Sequence, residues 1–260
     1  MRVLKELIQA LRQYPLWTRL AVMDIRESYR RSLIGALWIL ISFGMFIAVK
    51  IFIFGSFVSD DIGARVFTAH VVFGFWLWLF ISDCLIDGAN VFVRSRNWIL
   101  GTDISLGVFV FQSISRIALR FTFAFPVVVT ILIMDQWVPH VLWLTSLLGV
   151  IVFFLNAVWV HIFFGIVCSQ YRDFGYFLQA LMRVLFFLTP ILYLPSQLGS
   201  RAFVMQYNPL THYIATVRDP IVSGVFPVFA WQIVGIITIC GWGIALYTLS
   251  KHGRRVAFWV

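Results

Sequence analysis

Long apolar runs separated by short polar breaks restrict the fold of this chain more than any other feature. A helix needs roughly 20 apolar residues to cross the hydrocarbon core of a bilayer. About six runs qualify, at residues 33–57, 66–90, 106–133, 141–168, 176–194 and 228–250. Only 12% of the 260 residues are charged, against about 25% in an average soluble domain. The sequence therefore predicts an all-α integral membrane protein with six transmembrane helices in one domain, 1–260.

The distribution of Lys and Arg predicts the orientation of these spans, because basic residues accumulate in cytoplasmic loops. An even number of spans places both termini on one side. That side would hold Arg2, Lys5, Arg12, Arg19, Arg26, Arg30, Arg31, Arg94, Arg96, Arg172, Lys251, Arg254 and Arg255. The opposite loops hold Arg65, Arg201 and Arg218. We therefore expect cytoplasmic termini, and we interpret the net charge of +9 as topology rather than nucleic-acid binding.

The first 31 residues are expected to lie outside the spans. Leu4, Leu7, Ile8 and Leu11 follow the spacing of an amphipathic helix. No short apolar core of a secretory signal peptide precedes the first run, so we expect that run to stay in the membrane. Residues 1–31 are thus predicted to form an interface helix, either as a membrane-surface anchor or as a docking surface for a cytoplasmic partner.

Charged residues inside the predicted spans are costly in lipid and call for partners. Asp83 and Asp87 lie on the second span, and Arg116 and Arg120 lie on the third. A hairpin folded near Leu100 would bring Asp83 level with Arg116. The sequence predicts a buried Asp83–Arg116 ion pair, either as a structural bridge between neighbouring helices or as the polar wall of a pathway.

Aromatic residues make up 18% of the chain, and the stretch FGFWLWLF at 73–80 begins well inside its span. Such rings are candidates for the wall of a channel through which a glycan slides, since aromatic faces stack on the apolar faces of sugars. Core or lipid-facing packing is the alternative. The channel candidates are Phe73, Phe75, Trp76, Trp78 and Trp159.

Several motifs are absent from the sequence. It contains no GxxxxGK[ST] loop, so ATP binding by this chain through a P-loop is not expected. It contains no HExxH, GxSxG or Cys/His cluster, and no metal site or cofactor is predicted. His161 is expected to be a packing or hydrogen-bonding residue. An intramembrane enzyme would have Asp83, Asp87 or His161 as its candidates.

Four stretches carry a resemblance to a known family. They are RLAVMDIRESYRRSLIGALWILI (19–41), RSRNWILGTD (94–103), QYRDFGYFLQALMRVLFFLTPILYLP (170–195) and YNPLTHYIATVRDPIVSG (207–224). With them the whole chain resembles the membrane subunit of type-2 ABC permeases that export bacterial polysaccharides, especially the O-antigen exporters of lipopolysaccharide biosynthesis.

The resemblance implies a bacterial inner-membrane transport subunit that is not itself an enzyme. It implies a homodimer with the pathway between two copies, and two copies of a P-loop ATPase subunit that bind ATP and Mg. The cargo would be a glycan linked to polyprenyl diphosphate. Capsule or teichoic-acid export by the same architecture, small-molecule export, and an intramembrane glycosyl- or acyltransferase remain alternatives.

The resemblance also suggests roles for particular residues. Arg26, Arg30 and Arg31 would contact the lipid diphosphate, or simply anchor the chain to anionic lipid. Coupling to the ATPase would involve Arg94, Arg96, Asn97, Trp98, Asp103, Arg172 and Asp173. Short external helices within 195–227 would form an exit gate before the last span. The gate residues would be Tyr193, Tyr207, Asn208, His212 and Tyr213.

The sequence also suggests where several helices start. Asp103 is a candidate N-cap of the third span, and Asp173 would cap the fifth or pair with Arg172. Asn208-Pro209 and Asp219-Pro220 have the pattern of helix starts.

The predicted orientation can be checked with reporters fused to the C-terminus. A reporter that is active only in the cytoplasm should be active there, and alkaline phosphatase, which is active only after export, should be silent. Activity of the phosphatase fusion would show that the orientation is wrong.

Overall fold

The computed structural model describes residues 2–54, 61–194 and 203–260, and these residues form an all-helical fold. Helix accounts for 85% of the described residues, which contain no β-strand. The helices are α1 (Arg2–Arg12), α2 (Tyr14–Ser28), α3 (Leu37–Phe54), α4 (Asp61–Arg94), α5 (Arg96–Gly101), α6 (Leu106–Met134), α7 (Trp143–Gln170), α8 (Asp173–Leu188), α9 (Phe203–Tyr207), α10 (Pro209–Val222), α11 (Val228–His252) and α12 (Val256–Trp259). A 3₁₀ turn, Gly253–Arg255, joins α11 to α12.

Four of the described helices, α4, α6, α7 and α11, are long and apolar enough to cross a membrane. Two further helices lie on the first and fifth predicted spans but are shorter. The apolar part of α3 is Leu37–Ile53, and residues 55–57 of its predicted span lie outside the described residues. Helix α8 has 16 residues and ends at Leu188, because Thr189 precedes Pro190 and takes an extended conformation, with φ −93° and ψ 135°.

Helix α4 forms the centre of the bundle. It packs against α3, α6, α7, α8 and α10. In its most apolar 18-residue stretch, 72% of the residues are buried, compared with 17% in the corresponding stretches of α6 and α11. Glycines allow α7 to approach it closely. A Cβ on Gly88 would lie 3.2 Å from His161 Cα, and one on Gly165 would lie 2.7 Å from Val91 Cγ1. The most polar of the long apolar runs is therefore the one that is most enclosed by protein.

The N-terminal helices pack along α6. Leu7 and Ala10 of α1 are buried, and a Cβ on Gly107 of α6 would lie 2.7 Å from the Ala10 Cβ. Leu4 and Ile8 remain about half exposed, at 51% and 45%. Helix α1 thus has one apolar strip against the bundle and a second that faces outwards.

The connections divide the molecule into two ends. Helix α5 follows α4 and contacts α12, while α1 contacts α6 and α11. These contacts place α1, α5, α12 and the turn between α7 and α8 at one end, which we call the N-terminal end. The opposite end holds the start of α4, the end of α8, and α10, which packs against α4 and α7.

The short helices predicted before the last span are present in the described part of that segment, and residues 195–202 lie outside the described residues. Asn208 caps α10 by accepting a hydrogen bond from Leu210 N at 3.0 Å, with Pro209 at the first helical position. The second predicted start is wrong, because Asp219 and Pro220 lie inside α10. Helix α10 is also packed into the bundle, since ten of its residues are buried.

Replacing Gly241 by alanine should destabilise the contact between α7 and α11. An added Cβ would lie on the indole ring of Trp159, 2.6 Å from its Cδ2, and overpacking of this kind costs about 1–3 kcal/mol. Gly243, two residues further along α11, has no atom within 4 Å of an added Cβ. Gly243→Ala should therefore remain within about 1 kcal/mol of the parent. Thermal unfolding of the detergent-solubilised proteins measures both, and equal melting temperatures would contradict this packing.

Candidate functional site

Arg116 of α6 lies at the centre of a charged cluster inside the bundle. Its Nη1 donates to Asp24 Oδ2 of α2 at 3.1 Å, and its Nη2 donates to Asp87 Oδ2 of α4 at 3.0 Å. Arg116 and Asp87 are each 7% exposed. Gln112, one turn before Arg116, also donates to Asp24 Oδ2, at 2.9 Å. One guanidinium thereby joins a surface helix, the central helix and α6.

A second arginine extends this cluster along α6. Arg120 Nη1 lies 3.2 Å from Asp83 Oδ2 and 3.5 Å from Asp87 Oδ2. Arg94, at the end of α4, reaches Asp87 Oδ1 at 3.4 Å with a side chain that is 53% exposed. The carboxylates of Asp24, Asp83 and Asp87 therefore balance the three arginines, which is how a bundle interior accommodates so many charges.

The predicted Asp83–Arg116 pair is wrong in register. The observed pairs, Asp87–Arg116 and Asp83–Arg120, share one antiparallel register, and the predicted pair is one helical turn away from it. The difference arises in the connection, because α4 continues to Arg94 and is followed by α5 and an extended segment, rather than by a tight turn at Leu100. The prediction that these two helices pair acid with base is confirmed.

The cluster continues into α7 through a hydroxyl. Ser113 Oγ lies 3.5 Å from Arg116 Nη2 and 3.1 Å from His161 Nε2, while His161 Nδ1 lies 2.8 Å from the Ala157 carbonyl oxygen. His161 is fully buried and both ring nitrogens are engaged. The described residues contain no group of His, Cys, Asp and Glu suited to a metal ion. The predicted hydrogen-bonding role of His161 is confirmed.

Two clefts flank the central helix beside this cluster. The first, which we call the α3–α6 cleft, has a volume of about 550 Å³ and is lined by α3, α4 and α6 together with Tyr29. The second, the α3–α8 cleft, has a volume of about 590 Å³ and lies between α3, α4 and α8. Phe46, Phe75 and Leu79 line both clefts. Phe46 and Phe75 stack with ring centroids 3.8 Å apart, so this pair forms the shared wall.

The predicted channel aromatics fall into three groups. Phe75, Trp76 and Trp78 contribute to the two clefts, although Trp76 and Trp78 are each only 5% exposed. Phe73 is buried in the core and lines neither cleft. Trp159 lies elsewhere, on a smaller cavity of about 190 Å³. The stretch 73–80 therefore supplies core packing and cleft walls together.

The predicted coupling residues are gathered at the N-terminal end. Arg94, Arg96, Asn97, Trp98, Asp103, Arg172 and Asp173 are all exposed. The predicted cap at Asp103 is wrong, because Ser105 is the N-cap of α6 and accepts from Gly107 N. Asp173 does not cap α8 either; it is the first helical residue, and the side chain at the N-cap, Arg172, makes no capping bond. No Arg172–Asp173 ion pair forms.

Arg26, Arg30 and Arg31 lie exposed where α2 leads towards α3. Arg31 has a positive φ of 67°, a left-handed conformation that is uncommon for a residue with a side chain. Arg31 lies in the turn that leads from α2 towards α3. The three side chains therefore sit on one exposed corner of the molecule.

The predicted gate residues are mostly interior. Tyr207 is 83% exposed, and Tyr193 is half-buried and donates to the Phe187 carbonyl oxygen at 3.1 Å. Asn208, His212 and Tyr213 are buried, and the Tyr213 hydroxyl donates to Asn156 Oδ1 at 2.8 Å. These three buried side chains contact neighbouring residues and offer little free surface to a sugar.

Sequence reasoning missed a buried arginine at the opposite end. Arg218 of α10 is 4% exposed; it donates to the Pro190 carbonyl oxygen at 2.8 Å and lies 3.3 Å from His70 Nε2 of α4. Asp219 accepts from its Nε at 3.1 Å. The hydropathy pattern assigned Arg218 to a loop, so its burial in a packed helix was not predicted. Arg218 of α10 therefore connects the segment that follows α8 with α4.

These features define a multi-helix membrane protein with aromatic-lined clefts beside a buried, balanced charge cluster. No established protein-family profile matches the chain. Two curated relatives, both named O-antigen export system permease protein RfbA and both from Klebsiella pneumoniae, are similar to it. One is 22% identical over 239 residues, covering 88% of this chain and 89% of the relative. The other is 23% identical over 206 residues, covering 77% and 78%. The resemblance to O-antigen export permeases is confirmed.

Replacing Arg116 by alanine should destabilise the fold strongly, because the buried Asp87 loses its shortest ion pair and keeps only the longer contacts to Arg94 and Arg120. Breaking a buried ion pair from one side costs about 3–5 kcal/mol. Arg94→Ala is the matched control, because it removes an arginine of the same cluster whose side chain is mostly exposed, for which about 0–1 kcal/mol is expected. Thermal unfolding compares the two variants. Equal losses would show that Arg116 is not the central residue of the cluster.

Proposed function

We propose that this chain is the membrane subunit of an ATP-driven exporter that moves a polysaccharide linked to polyprenyl diphosphate across the bacterial inner membrane. The observation that carries the proposal is the similarity over most of the chain to proteins named as O-antigen export permeases. Because both relatives are matched over more than three quarters of their own length, the similarity concerns the whole membrane part and not one shared segment.

A second copy of the chain would complete the pathway. The α3–α8 cleft is open on one side, and the apolar faces next to it are exposed, including Val49 and Phe52 of α3 and Val184 and Phe187 of α8. A single bundle built around the buried helix α4 has no central opening for a hydrated glycan. Two copies that meet along α3 and α8 would enclose both of their α3–α8 clefts, with Phe75 and Trp78 in the wall.

The energy would come from two copies of a separate ATPase subunit, since the sequence contains no P-loop. The N-terminal end is suited to receive it. Helix α5 is a short exposed helix between two long ones, and Trp98 and Leu100 are 52% and 56% exposed. A push on α5 would act directly on α4 and α6, the two helices that the charge cluster joins.

The lipid diphosphate would contact Arg26, Arg30 and Arg31. All three are exposed at the corner between α2 and α3, and guanidinium groups match phosphate oxygens in geometry and charge. Helices α1 and α2 would lie at the membrane surface with both termini in the cytoplasm. This arrangement agrees with the exposed strip of α1 formed by Leu4 and Ile8.

The geometry does not favour an intramembrane transferase. Asp83 and Asp87 are paired with arginines, and His161 is buried with both ring nitrogens hydrogen-bonded. A general acid or base must reach its substrate, and of these three side chains only Asp83 borders a cleft. The O-antigen reading is preferred to capsule or teichoic-acid export because the relatives carry that name.

Deleting the gene in its own host should abolish the surface polysaccharide and leave the lipid-linked polymer inside the cell. Export stops although synthesis continues, so the polymer should be recovered from the cytoplasmic face of the membrane. Silver-stained gels of surface lipopolysaccharide and extraction of polyprenyl-linked glycan measure the two pools. A plasmid copy of the parent gene, or of Gly243→Ala, should restore export. A normal surface polymer in the deletion strain would refute the proposal.

A further inference from the structure

The α3–α6 cleft carries a feature that the proposed function does not use. One of its ends holds Asp83 and Arg120, and the rest is largely aromatic, with Phe43, Phe46, Phe75, Trp76, Phe80 and Phe121 among the lining residues. Its volume of about 550 Å³ falls within the about 300–1,000 Å³ typical of small-molecule sites. An apolar cleft with a few convergent polar groups is the usual form of a ligand site.

The polar end retains unused hydrogen-bonding groups. Arg120 engages Asp83 and Asp87 through Nη1 only, and Asp83 engages Arg120 through Oδ2 only. No hydrogen bond to a described residue is made by the remaining polar atoms of the pair, which are Arg120 Nη2 and Nε and Asp83 Oδ1. Both side chains are 33% exposed, so these atoms are accessible from the cleft. The pair therefore offers donors and an acceptor side by side.

The charge balance indicates which ligand suits this end. Asp83 and Asp87 both lie within 3.5 Å of Arg120, so an incoming phosphate would meet a guanidinium that is already neutralised and two carboxylates that repel it. Hydroxyl groups suit the pair better, because one hydroxyl can donate to Asp83 while its neighbour accepts from Arg120. The exposed residues Arg26, Arg30 and Arg31 differ from this pair, because they make no ion pair with any described residue.

We propose that the α3–α6 cleft is a binding subsite for an uncharged, hydroxyl-rich ring, with Asp83 and Arg120 as its polar contacts. The assignment of that ring to a sugar of the exported chain rests on the proposed function. Trp38, which lines the same cleft and is 46% exposed, supplies an accessible aromatic face in it. The subsite separates recognition of the neutral glycan from recognition of its anionic lipid carrier.

The direction in which one substitution changes the binding affinity distinguishes this subsite from an anion site. Asp83→Asn removes a carboxylate and leaves Arg120 with Asp87 alone. If hydroxyl groups bind there, affinity for an uncharged sugar falls, because a charge-assisted hydrogen bond is lost. If an anion binds there, its affinity rises instead, because a repelling charge has gone. Ser42→Trp provides a second variant, since Ser42 is exposed, lines the cleft and takes no part in the ion pairs.

The test uses the full chain in lipid nanodiscs, titrated with a neutral mannose tetrasaccharide and separately with inorganic pyrophosphate. We expect the parent to bind the tetrasaccharide, and both Asp83→Asn and Ser42→Trp to weaken that binding about 10-fold or more. Asp135→Asn is the control, because it neutralises a carboxylate at the far end of α6, beyond the cleft. Its affinity should equal that of the parent, and thermal unfolding verifies that every variant is folded.

Three results would overturn the subsite: no tetrasaccharide binding by the parent, unchanged binding by folded Asp83→Asn, or pyrophosphate binding that tightens in Asp83→Asn. None of them depends on export. If the gene deletion leaves the surface polymer intact while the Asp83-dependent sugar binding is observed, the proposed function fails and the subsite stands. If deletion abolishes the polymer but binding does not respond to Asp83, only the subsite fails.

Discussion

The structure depends most on the guanidinium of Arg116, which satisfies carboxylates from two other helices inside an apolar bundle. Charges of this kind are tolerated within a membrane protein only when they are paired. Because Asp24 comes from α2 and Asp87 from α4, the pairing sets the position of the surface helix relative to the central helix. The cluster therefore joins α2 to the core of the bundle, and the α3–α6 cleft opens beside it.

The proposed function assigns different chemistry to three regions of the molecule. The N-terminal end carries exposed basic residues, among them Arg94, Arg96 and Arg172, and is the part that we propose meets the lipid headgroups and the ATPase. The clefts beside α4 are mostly aromatic, and their charged lining residues are Asp83 and Arg120 in the α3–α6 cleft and Arg183 in the α3–α8 cleft. At the opposite end, the buried Arg218 donates to the Pro190 carbonyl oxygen.

The charge register shows how local reasoning reached the right helices and the wrong partners. Asp83 and Asp87 lie one turn apart on one face of α4, and Arg116 and Arg120 lie one turn apart on one face of α6. This spacing identifies the faces that pair. Which acid meets which base depends on the length and shape of the connection. Helix α5 and the extended segment before Ser105 shift the pairing by one turn. A sequence pattern of period 3.6 contains no information about that shift.

The sequence by itself determined the class of protein, the positions of the long apolar helices and the cap at Asn208, since these follow from hydropathy, chain length and local hydrogen bonding. Only the tertiary structure decided that α10 is packed into the bundle, that Asp24 reaches Arg116, and that Phe46 and Phe75 divide two clefts. Each of these depends on contacts between residues far apart in the chain. Such contacts are selected by the packing of whole helices, which no local pattern of residues specifies.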